Sequence, residues 1–130
     1  MRFEENGSIS PTSLADLRES VGWNRMENCY QNTKITSYFH IAVYDGNLLI
    51  GFIDCISNAV TDAYIQDLIV HPDYQKKGIG TQLMNRMISH LRKQNVYMIS
   101  VIYDAQLSSF YQRFGFTQML SGQLQTYHCP

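Results

Sequence analysis

Apolar and polar positions along this chain repeat with two periods, and the changes of period mark out its elements. Leu14, Leu17 and Val21 recur at helical spacing behind Ser10-Pro11, an N-cap residue followed by a proline suited to the first helical position, and Gly22 ends the run. A second, short helix is expected over 25–32. Residues 38–44 and 48–57 are rich in β-branched and aromatic side chains and flank Asp45-Gly46-Asn47, which reads as a hairpin. Residues 62–70 form a third predicted strand, ended by His71-Pro72-Asp73. A long helix follows over 79–94, with Ile79, Leu83, Met87 and Leu91 on one stripe and Met84 and Ile88 beside it. Residues 96–103 read as a buried strand, and Leu107, Phe110, Tyr111 and Phe114 as a short helix that Gly115 ends. Residues 116–119 and 124–128 are expected as closing strands. Hairpin-paired strands followed by strands alternating with helices predict a mixed α/β sheet with helices on both faces.

At 130 residues the chain is expected to form one domain, 1–130, because a second would leave neither half enough core. No apolar run approaches the ~18 residues of a membrane span. Met1-Arg2-Phe3-Glu4-Glu5 carries acids where a secretory signal would be apolar. Cys29, Cys55 and Cys129 are odd in number and widely spaced, which argues against a disulfide framework and a zinc site; a cytoplasmic location is the expectation. His40, His71, His90 and His128 have no metal-ligand spacing, so no metal is implied.

The net charge of -1 hides a division. Residues 1–73 hold ten acids against four Lys/Arg, whereas residues 74–130 hold six Lys/Arg and one acid, Asp104. Basic residues gather around one loop and helix without interleaved aromatics, a poor match to a nucleic-acid surface.

That loop carries the chemistry. In Leu68-Ile69-Val70-His71-Pro72-Asp73-Tyr74-Gln75-Lys76-Lys77-Gly78-Ile79-Gly80-Thr81, a strand gives way to a glycine pair at the start of a long helix. Unpaired N–H groups and the positive end of the helix dipole suit an anion there, and Gly78 and Gly80 let backbone approach a phosphate. No acid occurs from Tyr74 through Tyr103. The spacing fits neither a P-loop nor a dinucleotide fingerprint.

Gln75-Lys76-Lys77-Gly78-Ile79-Gly80 resembles the Q/R-x-x-G-x-G/A loop of the GNAT superfamily of N-acetyltransferases. Asp104, seven residues before Tyr111 in Phe110-Tyr111-Gln112-Arg113-Phe114-Gly115-Phe116, resembles that family's later motif. The likeness covers roughly residues 41–116. It implies a mostly antiparallel sheet with two splayed parallel central strands, 62–70 and 96–103, and acetyl-coenzyme A wedged between them. The pyrophosphate would lie on the backbone of 75–81, assisted by Lys76 and Lys77. The pantetheine would run along Leu68, Ile69 and Val70, with Asp104 and Ser109 across from it.

The implied reaction is direct attack of an amine on the thioester. The resemblance makes Tyr111 the donor to the departing sulfur, with core packing as the alternative. Deprotonation of the amine through ordered water is the stronger expectation, with Asp67 a candidate base or water-orienter. Strand alternation separates Asp67 from Tyr64 and Gln66 unless a bulge rotates it inward. Trp23, Tyr64 and Gln66 are expected on the acceptor side. A small primary amine is the expected acceptor, a protein α-amine or lysine the alternative, and a non-catalytic coenzyme A-binding module the reading from another class. Dimerisation through the C-terminal strands stays open.

Overall fold

Ser10 caps the first helix as its position demands. In the computed structural model, which describes residues 1–33, 35 and 37–130, the Ser10 hydroxyl accepts the Ser13 N–H at 3.3 Å and Pro11 opens α1 (Pro11–Ser20). Gly22, with φ +83, turns the chain away. α2 is a single turn, Glu27–Tyr30, shorter than expected.

The sheet has the order β1-β2-β3-β4-β5, formed by β1 (Arg2–Glu5), β2 (Phe39–Asp45), β3 (Leu48–Ser57), β4 (Asp62–Val70) and β5 (Met98–Val101). All neighbours are antiparallel except β4 and β5, which are parallel. β1 escaped the sequence reading because Phe3 is the one apolar residue in Arg2-Phe3-Glu4-Glu5, too little for an alternation.

Helices cover both faces. α3 (Ile79–Lys93) lays Ile79, Leu83, Met84, Met87 and Leu91 on one face, against Ile41, Val43, Ile53 and Ile65. α1 packs Leu14 and Leu17 on the other, against Ala42, Leu49, Phe52 and Ile69. A 3₁₀ turn (Ala105–Leu107) leads into α4 (Ser108–Gln112), and Gly115 leaves it with φ +94.

The expected closing strands do not form. Residues 116–130 contain no helix or strand, and Met119, Leu120 and Leu124 are exposed. The stretch ends on the α1–α2 side, where the Asn24 amide donates to Cys129 O at 2.6 Å and the Met26 N–H to Pro130 O at 3.0 Å. β5 therefore lies at the sheet edge rather than at its centre, and there are no C-terminal strands through which a dimer could form.

Leu83 is fully buried between α3 and the sheet. Leu83→Ala should lower unfolding stability by about 3 kcal/mol in urea denaturation, through lost burial and the cavity left behind.

Candidate functional site

β4 outruns β5. The parallel pairing runs only from Asp62↔Met98 to Ile65↔Val101, so the second half of β4 has no partner on that side. The His71 N–H donates to Ile50 O at 2.8 Å. This sets the antiparallel phase: Ile69 and His71 turn their backbone groups toward β3, and Leu68 and Val70 turn theirs into the gap.

The loop closes the gap at one end. The Gln75 side-chain amide donates to Val70 O at 2.9 Å, tying the loop to the strand end. Lys76 and Gly78 adopt φ +62 and +84, and α3 begins with no acid in its first turn. Gly80 lies against the Phe110 ring, which an added Cβ would meet at 3.6 Å.

A cleft of about 560 Å³ lies between the strand end, the loop and α4. Of the residues expected there, Leu68, Ile69 and Val70 form one wall, and Gln75, Lys76, Gly78, Ile79, Gly80 and Thr81 form the loop end. Tyr111 faces them from α4. Lys77 does not line the cleft; its ammonium sits 5.4 Å from the centre of the Tyr74 ring. Ser109 is exposed and lines neither cavity, because two residues along a helix turn a side chain by about 200° from the face that carries Tyr111. Arg113 supplies a cation that the sequence reading passed over, donating to Thr81 Oγ1 at 3.3 Å. Its signal was its spacing, three residues after Phe110 on the same short helical run.

A second cavity of about 1000 Å³ opens on the α1 side of the sheet and contains Trp23, Tyr64, Gln66 and Asp67. Asp104 belongs here rather than in the cleft. A bulge explains how Tyr64 and Asp67 come together. Asp54 pairs with Asp67 and Cys55 with Ile65, leaving Gln66 as an extra residue on β4. Beyond it, Leu68 and Val70 join the α3 face, while Asp67 and Ile69 turn toward α1.

The bulge also assembles a buried polar group. The Arg18 guanidinium reaches Asp67 Oδ2 at 3.4 Å, donates to Asn24 O at 2.6 Å and Asn24 Oδ1 at 2.8 Å, and lies 5.2 Å from the Trp23 ring centre. Asp54 is 9% exposed and its Oδ1 accepts the Asp67 N–H at 3.1 Å. Burial, and then the neighbouring Asp67, push its carboxyl up to about 7. Burial also raises Asp67, against the opposing pull of Arg18. One guanidinium thus faces two carboxylates. His40, the cross-strand neighbour of Asp54, is held by Gly7 O at 2.8 Å on Nε2 and by the Ser37 hydroxyl at 2.9 Å on Nδ1. A carbonyl only accepts, so Nε2 donates to Gly7 O.

Asp54 and Arg18 were not foreseen. The signal for Asp54 was a lone acid inside Leu49-Ile50-Gly51-Phe52-Ile53-Asp54-Cys55-Ile56. Of the ten acids in residues 1–73, only Asp54 and Asp67 line the cavity; Asp16, Glu19 and Glu27 surround Arg25 on the surface instead. The charge division along the chain is therefore not a division between two binding sites.

The cavities share Trp23, Leu68, Leu107 and Tyr111 as a common boundary. Tyr111 is 6% exposed, stacks on Tyr103 with ring centres 4.5 Å apart, and meets Phe110 edge-on at 5.0 Å. Burial, and then Tyr103, push its hydroxyl up to about 12.

The family described as "Acetyltransferase (GNAT) domain" matches residues 13–128. The chain belongs to the GNAT acetyltransferase family. It is 31% identical to an uncharacterized N-acetyltransferase, ycf52, of Gracilaria tenuistipitata var. liui over 85% of this chain and 64% of that protein. It is 29% identical to a histone acetyltransferase, TAP1, of Glycine max over 88% of this chain and 54% of the relative. The chain thus spans between about half and two thirds of these two relatives' lengths. Among solved structures, a GNAT-family acetyltransferase of Streptococcus pneumoniae superposes with a TM-score of 0.74 at 21% identity, covering 97% of each chain. For this GNAT chain, the splayed strands and the loop at the start of α3 fit an extended thioester cofactor with an anionic end. A cleft with open strand backbone along one wall meets the helix N-terminus, Lys76 and Arg113 at the other end. Among the described residues, no helix is long and apolar enough to cross a membrane, and no group of three or more His, Cys, Asp or Glu could hold a metal ion.

Asp54 is raised in the folded state, so the fold binds a proton more tightly than the unfolded chain and loses stability as pH rises from about 4 to about 7. Asp54→Asn keeps an oxygen for the Asp67 N–H. It should flatten that slope and be more stable than the parent by roughly 2 to 4 kcal/mol at pH 8, as read by denaturation across pH.

Proposed function

We propose that this GNAT chain is an acetyl-coenzyme A-dependent N-acetyltransferase that acetylates a primary amine of a small molecule. The observation that carries the reading is the meeting of two cavities at Tyr111 and Leu68, one with open strand edge and a cationic loop, the other with the buried Asp54 beside the half-buried Asp67. Acetyl-coenzyme A supplies an activated acyl group whose thioester carbon an amine can attack directly. Its phosphates would be held by the backbone of 75–81 with Lys76 and Arg113, and its arm by the Leu68 and Val70 backbone.

The amine brings a proton problem. An alkylammonium of pKa ~10.4 is neutral about once in ~10³ molecules at pH 7, which costs roughly 4 to 5 kcal/mol. An ordinary Asp near ~3.9 is a poor acceptor for that proton. Asp54 at about 7 is nearer by about three units, or about 4 kcal/mol. Asp54 is therefore the proton acceptor. Asp67 is the positioning residue: Arg18 holds its carboxylate, and its N–H holds Asp54. Arg18 offsets one of the two negative charges, and the ammonium of the acceptor offsets the other.

The departing sulfur needs a donor. Tyr111 at about 12 would transfer its proton to a thiolate near ~8.5 at a cost of about 5 kcal/mol. It therefore acts by hydrogen bonding rather than complete transfer. A protein α-amine or lysine is the second reading, favoured by the histone acetyltransferase name of one relative. It would use the same two residues.

The test is coenzyme A thiol release from acetyl-coenzyme A with a panel of small primary amines and of amine-bearing peptides. Turnover on small amines supports the reading, and turnover on peptides alone supports the second. Coenzyme A binding without turnover on either would make the chain a binding module. In the active assay, kcat/KM should rise with pH through about 7 as Asp54 loses its proton, and Asp54→Asn should lose that limb along with at least ten-fold in rate. Tyr111→Phe should cut kcat ten-fold or more and leave acetyl-coenzyme A affinity unchanged; an unchanged kcat would remove Tyr111 from the chemistry.

A further inference from the structure

Two cysteines 100 positions apart in the chain meet in the fold. Cys29 on α2 and Cys129 near the end of the 116–130 stretch place their sulfurs 2.6 Å apart. Both are half-buried and reachable by solvent, whereas Cys55 is sealed in the core beneath α3. The number and spacing of the cysteines argue against a disulfide framework, and a single link between distant positions gives no such spacing signal.

The contact is not isolated. Residues 116–130 form no element of regular structure, yet their end is held on the segment between α1 and α2 by the hydrogen bonds from the Asn24 side chain and the Met26 N–H. Neither cysteine lines the larger cavity itself, but residues near each of them do. Met26 and Tyr30, on either side of Cys29, line it from one stretch, and Gln123 lines it from the other.

We propose that Cys29 and Cys129 form a reversible disulfide that fastens the 116–130 stretch to α2 and so fixes that wall of the cavity. The oxidant is a low-molecular-weight disulfide of the glutathione class. The thiolate of one cysteine attacks a glutathione sulfur, breaking the S–S bond and releasing one glutathione thiol. The second cysteine then attacks the mixed disulfide at the protein sulfur and releases the other. The protein gives up two electrons and two protons, and one glutathione disulfide becomes two thiols. Nothing in this step depends on the acetyl-transfer reading.

The experiment incubates the whole chain in defined ratios of reduced to oxidised glutathione, quenches by alkylation, and reads intact mass, peptide linkage and hydrogen exchange. The expected result is loss of two hydrogens, about 2 Da, a Cys29–Cys129 linked peptide, and slower exchange over residues 123–130 in the oxidised form. Cys129→Ser, checked for an unchanged fold by circular dichroism, should instead carry a glutathione mixed disulfide on Cys29. Three alkylated thiols at every ratio, a link to Cys55, or a link between chains would overturn the pairing. A formed link with unchanged exchange over 123–130 would overturn the fastening.

Discussion

The hydrogen bond from the Asp67 N–H to the Asp54 carboxylate, 3.1 Å long, sits where β3 and β4 lose register. A side-chain oxygen takes the N–H that a regular ladder would give to a backbone carbonyl, so the Asp67 N–H is paired at the bulge. The consequence runs in both directions along β4. Before the bulge, Ala63 and Ile65 face α3; after it, Leu68 and Val70 do. Without that one-residue slip, Asp67 would face the apolar core beneath α3, and Arg18 on α1 would have no carboxylate partner on β4.

The same place on β4 is where β5 leaves it. Four paired residues hold the strands together at one end, and beyond Ile65 the separation exposes backbone that neither strand satisfies for the other. Open strand edges invite an added strand. Here the edge is shielded by α4 and by the loop that Gln75 ties to Val70, which leaves a cleft rather than a flat edge. Bulge and splay together put polar, titratable groups on the α1 side and open backbone in the cleft, with Tyr111 at their junction.

Electrostatics follow from burial more than from net charge. The uneven distribution of acids along the chain does not survive folding as a patch, since most of the acidic half lies outside the cavities. Two acids that share one guanidinium in a half-enclosed cavity matter more than the remaining eight, because desolvation rather than count sets how tightly a carboxyl holds its proton.

Where local chemistry is strong, the sequence was sufficient. The Ser10-Pro11 cap, the Asp45-Gly46-Asn47 hairpin, the bounds of β4 and the stripe of α3 were each legible, because caps, turns and amphipathic periods are short-range. So was the place of the glycine pair at the start of α3, where Gly78 takes φ +84. Asp54, Arg18 and Arg113 were not, since each takes its meaning from a neighbour on another element. The path of residues 116–130 was misread for the same reason: their apolar residues resemble strand positions, but contacts with Asn24, Met26 and Cys29 draw the stretch across to α2. The chain by itself determined α1, α3, the strands β2 to β4 and its family. Only the tertiary structure decided which carboxylates share a cavity, because a bulge reverses every face assignment downstream and periodicity along one strand does not reveal where it occurs.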